Sequence, residues 1–183
     1  MASTINANTF LQRLVGAAAL DAAIYEEVEA DERATIQAAA TVLLSSVAAG
    51  IGAVGFGGNA VANVAFVTVV AFIAWAAWAL VIFEIGNGLM PQAATRSSVG
   101  ELLRTIGFAT TPGLLRVFGV LPGVTVPVFA VTAVWMLAAM VVAVRQALDY
   151  DSTRRAVAVC ALGWVLAVTI ALGLGFVFGP SLS

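Results

Sequence analysis

The sequence predicts an all-α polytopic membrane protein, with a five-helix transmembrane bundle and an N-terminal amphipathic surface helix. Of its 183 residues, 62% are hydrophobic and only 10% are charged, and the mean hydropathy is +1.05. A soluble domain is about 45–50% apolar and about 25% charged. A soluble core of this size could not bury so much apolar surface, so lipid must solvate much of the chain.

Residues 1–33 are predicted to form the surface helix, running from about residue 10 to residue 30. Thr9 suits an N-cap and completes a capping box with Gln12. Apolar residues then recur at helical spacing, and acidic residues cluster toward the end of the segment. The segment is too short and too charged to span. Because its polar face is acidic, we expect it to pack on protein and not on anionic lipid.

The remaining chain, residues 34–183, is predicted to form the five-span domain. The spans are predicted at residues 34–56, 61–85, 99–121, 124–148 and 156–178. Glycines crowd the end of the first span, where AVGFGGN at 53–59 looks superficially like a phosphate-binding loop. That stretch lacks a preceding strand and a lysine, so we interpret it as a turn.

The third span differs from the others because it contains charge. Only residues 105–115, between Arg104 and Arg116, are free of charge. They cover about 16 Å of helix, which is about half of a hydrocarbon core. The segment could therefore cross with its arginines reaching toward opposite surfaces, or form a re-entrant hairpin bent at Pro112. In either case Thr110 and Thr111 could satisfy the carbonyls that the proline frees.

The arginines favour the crossing. With five spans and a cytoplasmic N-terminus, all arginines except Arg116 lie at the cytoplasmic side, as the positive-inside rule requires. A re-entrant third segment would move three of them outside. The C-terminus is then predicted to lie outside. The chain has no lysine and is rich in alanine and glycine, which suggests a bacterial genome and hence the bacterial cytoplasmic membrane.

Three stretches resemble the Yip (Ypt/Rab-interacting protein) domain family in its bacterial branch. They are LDAAIYEEVEADERATIQA at 20–38, ELLRTIGFATTPGLLRVFG at 101–119 and WMLAAMVVAVRQALDYDSTRRAVAV at 135–159. The resemblance implies a five-helix membrane protein with a cytoplasmic N-terminus and no catalytic residues. Eukaryotic members associate with prenylated Rab GTPases, a role that a bacterial cell would not use.

Composition removes several classes of function. Histidine is absent, which excludes the commonest metal ligand and general base, and the single cysteine, Cys160, lies in an apolar run. No catalytic motif or basic patch is present, so we predict a protein that is not an enzyme, holds no metal and binds no nucleic acid. No cofactor is expected, while a bound lipid, pigment or quinone is left open.

Three groups of residues are candidate functional sites. A polar gate, or alternatively an interfacial helix anchor, would comprise Glu84, Glu101, Arg104, Pro112 and Arg116, with Arg104 paired to one or both acids. A cytoplasmic docking patch, or alternatively a solvated turn, would comprise Arg145, Asp149, Asp151, Arg154 and Arg155. Contacts to pigment or lipid, or alternatively plain helix packing, would involve Trp75, Trp78, Trp135 and Trp164.

Two functions follow from these groups. The first is a non-enzymatic membrane scaffold or accessory subunit that packs against other integral membrane proteins, for example in an energy-transducing or photosynthetic complex. The second is a small transporter or channel that uses the broken third helix around Glu101, Arg104 and Pro112.

Overall fold

The computed structural model describes residues 8–56, 60–92 and 95–178, and this part of the chain consists of helices and the turns that join them. The α-helices are α1 (Phe10–Ala18), α2 (Ala22–Ala30), α3 (Ala34–Gly52), α4 (Ala60–Phe83), α5 (Val99–Phe108), α6 (Thr125–Ala147) and α7 (Thr153–Phe178). A 3₁₀ turn, Ala53–Phe56, extends α3, and a π-helix, Glu84–Leu89, extends α4. A 3₁₀ helix, Thr111–Val120, follows α5. The predicted glycine turn at 57–59 lies outside the described residues.

Four helical stretches of the described residues are long and apolar enough to cross a membrane. They are Ala34–Phe56, Val64–Leu89, Thr125–Ala147 and Thr153–Ile170. Each coincides with a predicted span, so the prediction of a polytopic all-α protein is confirmed. Large apolar side chains such as Phe66, Ile73 and Val134 are exposed on their outer faces, as lipid-facing positions require.

The third segment lies alongside α3 and runs in the same direction. A Cβ atom placed on Gly107 would lie 2.7 Å from Cβ of Ala38, near the start of α3. At the other end, a Cβ atom on Gly52 would collide with the backbone carbonyl of Arg116. Ten residues of α-helix and ten of 3₁₀ helix give a length of about 35 Å. Small residues at the contacts let the two backbones approach closely.

The change from α to 3₁₀ helix occurs just before Pro112, between Phe108 and Thr111. A proline has no N–H and its ring crowds the carbonyl four residues earlier, so the α-helix cannot continue through Pro112. That carbonyl belongs to Phe108, and it accepts a hydrogen bond from Thr111 Oγ1 at 2.6 Å. Thr110 Oγ1 donates to the carbonyl of Gly107 at 2.7 Å. The expectation that these threonines satisfy carbonyls near the proline agrees with both bonds.

The N-terminal segment forms two helices, so the prediction of a single helix over residues 10–30 is wrong. The predicted capping box is present, with Thr9 N–H donating to Gln12 Oε1 at 2.8 Å. Helix α1 ends because Leu20 adopts a φ of 62°, which lets Asp21 N–H reach the carbonyl of Gly16 at 3.0 Å. Asp21 then caps α2 through Ala23 N–H. We call this helix pair the N-terminal hairpin.

The N-terminal hairpin packs on the bundle, in agreement with the expectation that it packs on protein. Its buried side chains, among them Tyr25 and Val28, lie in one apolar cluster with Phe108 of α5 and Ala139 of α6. A hydrogen bond reinforces this contact, because Trp135 Nε1 of α6 donates to the carbonyl of Ala18 at 2.8 Å. Within the hairpin, Tyr25 Oη donates to the carbonyl of Ala17 at 3.1 Å and joins α2 to α1.

A second apolar cluster joins α4, α5, α6 and α7. It includes Ile82, Ile106, Val144, Leu148 and Val159. Tyr150 closes it at the α6–α7 turn, where its hydroxyl donates to the carbonyls of Gly86 and Met90. The carbonyls at the end of the π-helix therefore find their donor in a side chain that is distant in sequence.

Candidate functional site

Arg104 lies buried where α5 meets the N-terminal hairpin. Its Nε donates to the carbonyls of Val28 at 3.0 Å and Glu29 at 2.9 Å, and Nη2 also donates to the carbonyl of Glu29. These carbonyls belong to the last turn of α2, where no backbone N–H is available for them and where the helix dipole favours a positive charge. Arg104 therefore caps α2 from another part of the chain and holds the N-terminal hairpin against α5.

The acids that we expected to pair with Arg104 do not pair with it. Glu101 Oε2 instead accepts the N–H of Ser98 at 2.7 Å and completes a capping box at the start of α5. An acid at the third position of a helix is drawn back to the cap, and so away from a partner three residues later. Glu84 lies exposed in the π-helix and forms no ion pair among the described residues. The expected pairing of Arg104 with Glu101 or Glu84 is therefore corrected.

Arg13 forms the ion-pair network that we did not foresee. Its Nη2 lies 2.8 Å from Glu27 Oε1 and 2.7 Å from Asp31 Oδ2, and Nη1 donates to Gln37 Oε1 at 2.8 Å. Its side chain is 2% exposed. One arginine thus joins α1 to α2 and to the start of α3. A signal exists in the sequence, because Arg13 falls within the apolar stripe of α1 and must find an acceptor there.

The Arg13 network sets the ionisation of its two acids. Hydrogen bonding from Arg13 lowers the pKa of Asp31. Burial acts to raise the pKa of Glu27, but hydrogen bonds from Asn8 and Arg13 outweigh it and lower that pKa overall. Both carboxylates therefore stay charged at neutral pH and hold the guanidinium in place.

An acidic cleft lies where α2, the start of α5 and the α6–α7 turn meet. It has a volume of about 670 Å³, and its acids are Glu26, Glu29, Glu101, Asp149 and Asp151. Burial, together with the charges of Asp149, Glu101 and Glu26, raises the pKa of Glu29 to about 7, although the charge of Arg104 opposes this. Glu29 can therefore take up a proton near neutral pH, while Gln146 Nε2 donates to Glu26 at 2.7 Å.

The predicted docking patch separates into two parts. Arg145 is engaged with the carbonyl of Tyr150 and the hydroxyl of Thr153, and the guanidinium of Arg155 lies 5.9 Å from the ring centre of Tyr150. Asp149 has a φ of 50° and ends α6 in a Schellman motif, in which Tyr150 N–H donates to the carbonyl of Arg145 at 2.9 Å. These residues build the turn. Asp149, Asp151 and Arg154 are exposed, and their side chains form no hydrogen bond or ion pair among the described residues, although the backbone N–H of Asp151 donates to Gln92 Oε1 at 3.2 Å.

The four tryptophans do not form one site. Trp135 packs on α1, and Trp75 Nε1 donates to the carbonyl of Leu103 at 3.0 Å. The rings of Trp78 and Trp164 pack against each other at an angle of 57° with their centres 5.6 Å apart, and Trp78 Nε1 has no acceptor among the described residues. Trp75, Trp78 and Trp164 line a common cavity that Trp135 does not reach.

This second cavity, which we call the membrane cavity, lies between α3, α4, α6 and α7, and the end of α5 and the 3₁₀ helix form its remaining wall. Its volume is about 560 Å³. Apart from Ser45, Ser46, Thr110 and Arg116, its walls are apolar. Arg116 Nε donates to Thr132 Oγ1 at 3.2 Å, and its guanidinium lies 5.3 Å from the ring centre of Phe129. Arg116 is therefore separate from Arg104 and Glu101, with which we had grouped it as a gate.

Among the described residues, no three His, Cys, Asp or Glu side chains are placed to hold a metal ion.

The family model described as the Yip1 domain matches residues 22–175, which run from the start of α2 into α7. No curated protein and no solved structure matches the sequence.

Proposed function

Because the chain belongs to the Yip1 domain family, we propose that it is a non-enzymatic integral membrane scaffold or accessory subunit that packs against partner membrane proteins. The family is not known for enzymatic activity, and the apolar helices together with the family make the chain a multi-pass membrane protein. Its placement in the bacterial branch, in the bacterial cytoplasmic membrane and in a larger complex is part of this proposal.

One observation favours a scaffold over a transporter. The polar groups of the broken third segment are engaged in contacts that hold the fold together. Arg104 caps α2, Glu101 caps α5, and Thr111 satisfies the carbonyl that Pro112 leaves free. A gate requires polar groups that exchange partners during a cycle, whereas these groups fasten the N-terminal hairpin and the kinked helix to each other.

The transporter alternative makes a distinct prediction, which a liposome assay tests. If the third segment were a gate, Glu101→Gln would abolish the flux of a transported ion while the N-terminal hairpin stayed in place. For a scaffold we expect no flux above empty liposomes from the wild type. Measurable flux that Glu101→Gln abolishes would overturn the scaffold proposal.

We further propose that the third segment is a fifth crossing, with the N-terminus cytoplasmic and the C-terminus outside. Its length of about 35 Å and its parallel course along α3 support this, since a re-entrant hairpin would turn back. In a Cys160→Ala background, Leu121→Cys and Asp151→Cys report the topology in intact cells. A membrane-impermeant maleimide should label residue 121 and spare residue 151, and the opposite result would contradict the proposed topology.

The partner is proposed to dock at the exposed part of the α6–α7 turn, formed by Asp151 and Arg154. Affinity purification of the full chain in a mild detergent tests this directly. We expect co-purifying membrane proteins that are lost from the Asp151→Ala, Arg154→Ala double variant. The matched control is Glu32→Ala, Arg33→Ala, which removes the same charges from another exposed position. Recovery of the lone chain, or loss of the partners from both double variants, would contradict the proposed patch.

A further inference from the structure

We propose that the membrane cavity binds one anionic phospholipid, whose acyl chain occupies the cavity and whose phosphate contacts Arg116. This inference is independent of the scaffold proposal, because it concerns the interior of the bundle and not the surface that would meet a protein partner. The charge of Arg116, the shape of the cavity and the position of its opening support the assignment of a lipid to this cavity.

Arg116 has no carboxylate partner among the described residues. Both ion pairs among the described residues belong to Arg13. Every Asp and Glu side chain of the sequence lies within residues 8–56, 60–92 and 95–178, and none of them pairs with Arg116. Among the described residues, the polar and aromatic contacts of the Arg116 guanidinium are the hydroxyl of Thr132 and the ring of Phe129. A partly buried guanidinium beside an apolar cavity is costly without a counter-charge, and an anion in the cavity would supply one.

The remaining walls suit a hydrocarbon chain. Trp75, Trp78 and Trp164 form one side, and Met136 and Met140 of α6 form another. Methionine and tryptophan provide polarisable, adaptable surfaces for flexible apolar ligands. A volume of about 560 Å³ lies within the range of about 300–1,000 Å³ that is usual for small-molecule sites.

The cavity opens toward lipid. Two of its lining residues, Leu137 and Trp164, are 47% and 51% exposed. They lie on α6 and α7, which are among the helices long and apolar enough to cross the membrane. A ligand would therefore enter sideways from the bilayer, where phospholipids are the abundant amphiphiles. Charge complementarity with Arg116 selects those with an anionic headgroup, because a guanidinium binds phosphate through charge-assisted hydrogen bonds.

Quenching of tryptophan fluorescence tests the proposal with the full chain in neutral detergent. The probes are phosphatidylglycerol and phosphatidylcholine with brominated acyl chains. We expect saturable quenching by phosphatidylglycerol at one lipid per chain and binding at least about tenfold weaker for phosphatidylcholine, since a charge-assisted hydrogen bond is worth about 10- to 100-fold in affinity. Equal binding of the two lipids by the wild type would overturn the assignment.

Three variants locate the site. Arg116→Gln should weaken phosphatidylglycerol binding by about 10- to 100-fold and remove the preference over phosphatidylcholine. Arg116→Lys should retain part of that preference. The matched control, Arg154→Gln, removes an exposed arginine and should bind as the wild type does. Unchanged affinity in Arg116→Gln would refute the headgroup contact.

A cavity-filling variant keeps the proposal falsifiable if Arg116→Gln does not fold. Ala133→Leu adds bulk to the cavity wall and leaves Arg116 in place, so saturable quenching should disappear. If Ala133→Leu were quenched as fully as the wild type, the acyl chain of the lipid would have to lie outside this cavity. Brominated oleate, whose headgroup is a carboxylate, tests whether Arg116 requires a phosphate. If oleate bound as tightly as phosphatidylglycerol, the phospholipid assignment would be overturned.

Discussion

Replacement of Arg104 by methionine should release the N-terminal hairpin from the bundle while the bundle itself stays folded. Methionine retains much of the apolar stem but removes every donor. The carbonyls of Val28 and Glu29, which accept from Nε at 3.0 and 2.9 Å, would then lose their partner. The apolar contacts of Tyr25 and Val28 remain, so the hairpin should open locally more often without being lost altogether.

The size of the effect follows from the hydrogen bonds that are lost. A hydrogen bond to a charged group contributes about 1.5–3 kcal/mol. The two bonds from Nε are not independent, because one N–H is shared by two carbonyls. In the wild type, the guanidinium of Arg104 also regains water when the hairpin opens, which offsets part of the loss. We therefore expect the free energy of opening of α2 to fall by about 2–4 kcal/mol, which increases the open population roughly 30- to 900-fold.

Amide hydrogen exchange with mass spectrometry measures this opening in detergent. Peptides from α2 should exchange faster in Arg104→Met by that factor, peptides from α6 should be unchanged, and Arg104→Lys should be intermediate because lysine places one donor group on a flexible stem. Arg154→Met, at an exposed arginine, is the control. Protection of α2 as strong as in the wild type would refute the assignment of Arg104 as the cap of this helix.

Three further predictions concern the Arg13 ion pairs, the ionisation of Glu29 and the close approach of α3 to the 3₁₀ helix. A double-mutant cycle of Arg13→Met and Glu27→Gln should show a coupling of about 1–3 kcal/mol in thermal unfolding, and additive effects would contradict the network. Glu29 has a pKa near 7 in the folded chain against an ordinary value of 4.5, so the folded state binds the proton more tightly. The free energy of unfolding should therefore fall as pH rises from about 4.5 to 7 and be level above that. Glu29→Gln should remove this slope and, after allowance for solvent screening of a half-exposed side chain, stabilise the chain by about 1 kcal/mol at pH 8; a slope that persists in the variant would assign it to another group. Gly52→Ala should destabilise by about 1–3 kcal/mol because its Cβ atom meets the backbone of the 3₁₀ helix, whereas Gly88→Ala, with open space around it, should leave the melting temperature within about 2 °C.

Four of the five predicted spans were predictable because the bilayer fixes their length. Uncharged apolar runs of about 20 residues have few alternatives to a transmembrane helix, and the four corresponding helices, with their 3₁₀ and π extensions, begin and end within four residues of the predicted limits. The third predicted span is not among the helices long and apolar enough to cross. The break at Leu20 was not predictable in the same way. Apolar positions continue at helical spacing from Leu14 through Ile24 and Val28, and a leucine with a positive φ leaves no signature in the sequence.

The contacts of the polar residues were harder to foresee because most of their acceptors are backbone atoms. Helical spacing suggested that Arg104 pairs with Glu101, three residues earlier. The observed acceptors are carbonyls of Val28 and Glu29, and the latter lies 75 residues away. A carbonyl is present at every residue, so no pattern of side chains identifies the one that a distant arginine will contact.

Three arginines lie within the packed part of the protein, and each has a different kind of partner for its guanidinium. A guanidinium surrounded by apolar groups must find acceptors, and in lipid these cannot come from bulk water. Arg13 finds carboxylates and Arg104 finds the carbonyls at the end of a helix, and both thereby fasten the N-terminal hairpin. Among the described residues, Arg116 meets a hydroxyl and an aromatic ring and no carboxylate, and it lines the membrane cavity. Arg13 and Arg104 thus have internal acceptors that fasten the hairpin, whereas Arg116, which has no carboxylate partner among the described residues, is the residue through which the proposed lipid would be recognised.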